Sequence, residues 1–158
     1  MINTLELRVG NYVLYNGQPI MVNGITYNTV MLDGILLATE NPNYPYEYKH
    51  INANDESIEP IPLCDLILET IRQRIPMKDG FVYSYNKNSS TYFIYEDDEE
   101  GYFVGLDFRG ELIRVTPKPF RYLHQLQNVF FAQYGNEMNI DEQQLKNSVE
   151  KAVENGVI

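Results

Sequence analysis

The sequence predicts an α+β protein: an N-terminal SH3-like curled antiparallel sheet or partial barrel, then a helix, a four-stranded antiparallel meander and two C-terminal helices. Two turn dipeptides, Asn16-Gly17 and Asp33-Gly34, punctuate short β-branched and aromatic runs in the first third. Aromatic and β-branched segments separated by turn residues recur between Phe81 and Val115. Apolar residues at helical spacing follow Pro62 and Pro119, and again Asn139.

Taken in order, Asn11 to Tyr15 is the first strand, because Asn-Gly supplies the positive φ values that a two-residue hairpin needs. Pro19 to Ile25 returns, Thr29 to Leu32 follows, Asp33-Gly34 turns, and Ile35 to Thr39 is a fourth strand. Pro42 and Pro45 lack an N–H, so Asn41 to Tyr48 is at best an edge segment or loop. An extended connection through Ile58, Pro60 and Pro62 sets the expected division, a β-barrel-like unit over 1–62 and an α+β unit over 63–158, with one continuous domain as the alternative.

A helix begins after Pro62, with Leu63, Ile67, Ile71 and Ile75 at i+4 and Pro76 as the stop. The meander strands are Phe81 to Tyr85, Thr91 to Glu96, Tyr102 to Phe108 and Glu111 to Val115. Alternation in the third, with Tyr102, Val104, Leu106 and Phe108 on one side, asks for cover on that face. The helix over Pro119 to Tyr134 is the expected cover, through Leu123, Leu126, Val129, Phe130 and Tyr134, with Gly135 ending it. In the last helix, Asn139 to Asn155, Asn139 with Glu142 resembles a capping box, and Leu145, Val149, Ala152 and Val153 form a thin stripe.

Composition removes several function classes. In 158 residues there are 12 Lys and Arg against 22 Asp and Glu, a net charge of −10, which disfavours nucleic acid and anionic lipid as partners. No run approaches the ~20 apolar residues of a membrane span, and Met1 to Gly10 is charged where an export signal would be apolar. With one cysteine, Cys64, no internal disulfide can form, which suits a reducing, cytoplasmic setting.

Three segments resemble one family. Leu7 to Gly17 (LRVGNYVLYNG), Ile58 to Leu63 (IEPIPL) ahead of a Leu-rich helix, and Tyr122 to Glu137 (YLHQLQNVFFAQYGNE) are similar to pieces of small uncharacterised proteins from gut Bacteroides-type bacteria and their prophages or mobile elements. The third is the most specific, being built on a His-Gln-Leu-Gln-Asn core. This chain has Tyr134-Gly135-Asn136-Glu137 where the family usually has Thr-Gly-Glu-Glu. The resemblance implies an intracellular protein of a mobile-element setting and carries no particular activity with it.

His124 is the leading candidate for chemistry. With Gln127, Asn128 and Phe131 it recurs at i, i+3, i+4 and i+7, so an imidazole and two amides share a flank able to hold a polar ligand. The competing reading is that these groups bond to a neighbouring strand or loop and fix the seat of the helix. Tyr44, Tyr46 and Tyr48 alternate through a Pro-containing segment of a chain with 13 Tyr and no Trp, and rings with polar tips suit a contact surface. Rings that fill both faces of a thin sheet would read the same way.

Two histidines and one cysteine without a ligand-spaced pair give no metal site, and no cofactor is expected. Glu96 to Glu100 lacks the alternation and internal glycine of a calcium loop and reads as a solvated hairpin tip. Nucleophile elbows and phosphate-cradling glycine loops do not occur. Arg109, Arg114, Lys118 and Arg121 form a modest basic group near those acids, so internal charge pairing is the simpler account. The expectation is a non-enzymatic binding protein contacting a protein partner, with a homo-oligomer left open. Three alternatives stand beside it: an acidic nucleic-acid mimic blocking a basic-groove enzyme, a nucleic-acid-binding small barrel, and an enzyme using His124.

Overall fold

The computed structural model describes residues 6–25, 29–38, 46–52, 57–71, 73–77, 80–87, 90–97, 101–109 and 111–158. The class is α+β, as predicted, and the chain divides into two compact units. One is Met1–Ile61 with Leu123–Glu137, the other Pro62–Tyr122 with Met138–Ile158.

In the first unit, strands β1 (Tyr12–Tyr15), β2 (Gln18–Ile25), β3 (Thr29–Ala38), β4 (Tyr46–Asn52) and β5 (Ile58–Glu59) form an antiparallel sheet in the order β4-β3-β2-β1-β5. The first hairpin is the predicted one: Asn16 and Gly17 take φ of 51° and 77°, and Tyr15 pairs with Gln18. Leu7, Val13, Val22, Val30, Leu32, Ile51 and Ile58 make its core. The two strands expected around Asp33-Gly34 are instead one. β3 runs through that dipeptide with a register shift between Met31 and Leu36, pairing with β4 on both sides of it. Here the dipeptide falls in an irregular stretch of a continuing strand, which a flexible glycine permits, and no hairpin closes. β4 lies at the edge of the sheet; of Asn41 to Tyr48, expected as an edge segment or loop, only Tyr46 to Tyr48 fall in it, and Asn41 to Pro45 lie outside the described residues.

Helix α2 (Leu123–Tyr134) belongs to this first unit, against β1. The expectation that it covers the meander is therefore corrected, and a 1–62 unit lacks one of its elements. Gly135, at φ 71°, ends the helix as predicted.

The second unit holds α1 (Asp65–Ile71), strands β6 (Gln73–Met77), β7 (Gly80–Lys87), β8 (Ser90–Asp97), β9 (Gly101–Phe108) and β10 (Glu111–Arg114), and α3 (Glu142–Glu154). The strands form a meander of five, ordered β10-β9-β8-β7-β6, one more than predicted. The extra strand replaces the end of the predicted helix, for the chain leaves helix after Ile71 and Gln73–Met77 pairs with β7. Pro76 sits opposite Phe81 in an edge strand, where a missing N–H costs little. Ile75 kept the i+4 period only by coincidence.

β9 is buried on both faces near its start: Tyr102, Phe103 and Val104 are 8%, 0% and 0% exposed. Phe103 stacks on Tyr95 at 5.6 Å between ring centroids, and the Arg114 guanidinium lies 3.2 Å above its ring. One member of the predicted basic group thus covers an aromatic face. In α3 the cap is Asp141, not Asn139. Its carboxylate accepts from the Gln144 N–H at 2.9 Å, because extended backbone at Asp141 adjoins the first helical residue. Gly156 closes the helix at φ 66°, its N–H bonded to Val153 C=O at 3.0 Å and that of Val157 to Ala152 C=O at 2.9 Å. Leu145, Val149 and Ala152 are buried as predicted, whereas Val153 is 53% exposed. Among the described residues no helix is long and apolar enough to cross a membrane.

Candidate functional site

The site lies in the first unit, where α2 meets the segment Glu6 to Asn11. That segment folds back on itself: Asn11 N–H bonds Arg8 C=O at 3.1 Å, and the Asn11 side-chain oxygen accepts from Arg8 N–H at 2.8 Å. Gly10 N–H then reaches Val22 C=O at 2.8 Å, tying the segment to β2. Gly10 holds φ 90°, which favours glycine, and a Cβ there would stand 2.9 Å from Glu137 Cδ, so the Glu137 carboxylate would have to shift.

The helix flank predicted from spacing is present, and its amides are engaged. Gln127, 1% exposed, accepts from Tyr12 N–H at 2.9 Å through Oε1 and donates from Nε2 to Gly10 C=O at 3.0 Å. Those two groups flank Asn11 along one edge of the backbone. A residue of a parallel strand engages its neighbour in the same way, so one side-chain amide substitutes for a strand partner. Asn128 Oδ1 accepts from Asn11 Nδ2 at 3.0 Å and from Arg8 Nε at 3.2 Å, while its Nδ2 donates to Glu6 C=O at 2.6 Å.

His124 is 1% exposed, with Nε2 3.7 Å from Glu6 Oε2. Burial pushes its pKa below the usual value, and the Glu6 carboxylate opposes that shift by charge and by hydrogen bonding. Glu6 also accepts from Gln125 Nε2 at 2.9 Å. Phe131 lies under the Arg8 guanidinium, 3.9 Å from the ring centroid. The same guanidinium forks onto the Glu137 carboxylate, Nη1 to Oε1 and Nη2 to Oε2, the second at 3.0 Å.

The structure brings His124, Gln127, Asn128 and Phe131 together as predicted and seats the two amides on backbone. The arrangement fastens the segment Glu6 to Tyr12 to the helix. Sequence reasoning missed Arg8 and Glu137. A signal existed, for Arg8 is one of two bases before Leu63 and sits inside the segment Leu7 to Gly17, and Glu137 closes the segment Tyr122 to Glu137.

Tyr46 and Tyr48 lie in β4, opposite Ala38 and Leu36, with β3 and β2 between that strand and β1 in the sheet order. Tyr44 lies outside the described residues. Cys64 is half-buried, and burial raises its thiol pKa, with Asp65 and Glu96 acting in the same direction against two backbone hydrogen bonds. Among the described residues no three His, Cys, Asp or Glu side chains gather as a metal site. Set beside protein-family models, curated proteins and solved structures, the chain matches none of them.

Proposed function

We propose that the protein works by binding a protein partner and not by catalysing a reaction, in the intracellular mobile-element setting that its motif resemblance implies. The observation that carries this reading is the terminal strand of the second sheet, with its exposed apolar side chains. β10 is its terminal strand, and Ile113 and Val115, two residues apart, are 47% and 43% exposed. In the register with β9, where Glu111 faces Phe108 and Ile113 faces Leu106, the backbone of Leu112 is directed away from β9. An extended segment of a partner can add there as a further strand, main-chain bonds giving affinity and the two exposed apolar side chains giving selectivity. The first unit supports the reading from the other side: the amides best placed for chemistry are bound to Glu6, Arg8, Gly10, Asn11 and Tyr12.

The test is affinity capture from a nuclease-treated lysate of a Bacteroides-type bacterium, read by mass spectrometry, with wild type and an Ile113→Asp/Val115→Asp variant in parallel. A protein recovered by wild type and lost by the variant, with slowed amide exchange at Leu112 in the complex, supports the reading. Equal recovery by both, or no recovery by either, removes it.

A further inference from the structure

The second unit carries a groove that the partner reading does not use. α3 lines it with Gln144, Asn147, Ser148 and Lys151 at i, i+3, i+4 and i+7, one polar helix face. The facing wall is α1, through Leu66 and Thr70 at i and i+4. Leu66, Thr70 and Ser148 are half-buried and form the floor, while Asn147 and Lys151 are exposed and stand at the mouth. The space measures about 270 Å³, the liquid volume of about nine waters at ~30 Å³ each, which is room for a small polar molecule.

Hydrogen bonds already made decide what the two walls can offer. Asn147 Oδ1 accepts from Gln143 Nε2 at 3.0 Å, so what remains of that amide is its NH₂ group, a donor. Thr70 gives its hydroxyl proton to Ile67 C=O at 2.6 Å, so its oxygen is left as an acceptor. Lys146 is engaged by Glu142 at 3.0 Å, outside the groove, and Lys151 is the cation among the lining residues. The α3 wall therefore presents a charged donor with an amide donor beside it. The α1 wall presents an acceptor next to the apolar surface of Leu66.

We infer that the α1–α3 groove binds a short hydroxycarboxylate, with its carboxylate on Lys151 and Asn147, its hydroxyl on Thr70 and its carbon chain on Leu66. One cation matches one carboxylate, and a second carboxylate would go unpaired on a chain of net charge −10. Thr70 Oγ1 calls for a donor from the ligand. A hydroxyl supplies it without charge, whereas an ammonium would lose hydration between half-buried Thr70 and Leu66. Glu69, exposed on the α1 side, is engaged in an interaction of its own and contributes no ligand contact. The ion pair is solvent-exposed, so affinity lies near the millimolar range.

The experiment is an amide-resolved NMR titration of the full chain with β-hydroxybutyrate. Butyrate lacks its hydroxyl, β-aminobutyrate replaces the hydroxyl with an ammonium, and β-hydroxybutyramide lacks the carboxylate. The expected result is saturable shifts at Thr70, Asn147, Ser148 and Lys151 with β-hydroxybutyrate and none with the amide. Butyrate and β-aminobutyrate should bind about tenfold more weakly. Lys151→Met, at an exposed position, should weaken β-hydroxybutyrate binding about tenfold without moving the unfolding midpoint. Thr70→Val should bring β-hydroxybutyrate and butyrate to the same affinity, a comparison within one variant that a change of stability does not mimic. Butyrate or β-aminobutyrate binding as tightly as β-hydroxybutyrate to the wild type overturns the inference. So do a difference between β-hydroxybutyrate and butyrate that persists in Thr70→Val, and shifts that do not saturate, that survive Lys151→Met or that appear equally with the amide. An absence of shifts overturns it as well.

Discussion

Removing the Gln127 amide tests the account of α2 most directly. In a Gln127→Met variant the chain length and much of the volume stay, while the hydrogen bonds from Tyr12 N–H at 2.9 Å and to Gly10 C=O at 3.0 Å both vanish. Each orphaned backbone group costs about 1–3 kcal/mol when buried. Gly10 and Tyr12 are themselves only half-buried, so water recovers part of that. The expected loss is about 2–4 kcal/mol, a large share of the 5–15 kcal/mol that holds a domain together. Urea unfolding followed by circular dichroism gives the total. Amide exchange localises it: Tyr12 N–H should lose its protection in the variant, while Val104 N–H, bonded to Thr116 Oγ1 at 3.0 Å in the other unit, should keep its own. A loss below about 0.5 kcal/mol, the range of an ordinary surface change, would refute the role given to Gln127. Unaltered exchange at Tyr12 would do the same.

Gly10→Ala adds a Cβ at φ 90° and 2.9 Å from Glu137 Cδ, so it should cost about 1–3 kcal/mol and release the Arg8–Glu137 fork, visible as chemical-shift changes at both side chains. Because His124 has a folded pKa below its ordinary 6.5, the unfolded chain binds the proton more readily. Stability from that residue is therefore full above pH 6.5 and lost as pH falls toward the lowered value; unfolding curves across pH 5–8 should show a slope that His124→Gln flattens. Tyr102 is shifted the other way, its phenol pushed well above 10 by burial and then by Glu96 and Asp65. Its contribution is full below pH 10 and lost as pH rises beyond it, and Tyr102→Phe should remove that alkaline slope. A fragment of residues 1–62 should lack a cooperative unfolding transition, because the α2 groups that hold Gly10 and Tyr12 are missing from it.

Local signals carried much of the fold. Asn16-Gly17 specified a hairpin because both positions needed positive φ, and Gly135 and Gly156 ended helices for the same reason. Asp33-Gly34 has the same turn preference, yet β3 runs through it, because pairing with β4 on both sides outweighed that preference. The helix predicted through Ile75 failed at the same level. A run of β-branched residues at i+4 is compatible with either element, and the hairpin of Gln73–Met77 with Gly80–Ser84 decided between them. Which sheet α2 covers was beyond local reading, since its apolar stripe would suit either. Its amides decide the matter only once the chain from Glu6 to Tyr12 is beside them. The flank of His124, Gln127 and Asn128 was legible from spacing; that two of its members bond backbone was one of two readings, and distances were needed to choose.

The two longer family-like motifs turn out to be each other's partners. From Leu7 to Gly17 come Arg8, the Gly10 carbonyl, the Asn11 side chain and the Tyr12 N–H; from Tyr122 to Glu137 come Gln127, Asn128, Phe131 and Glu137. Such a set is self-explanatory as structure. A primary amide that supplies one donor and one acceptor to backbone tolerates few replacements, because no other neutral side chain offers both at that reach. A guanidinium that forks onto a carboxylate and lies on a ring is not replaced by lysine. Motif specificity of this kind arises without any ligand, so it is no argument for an active site at His124.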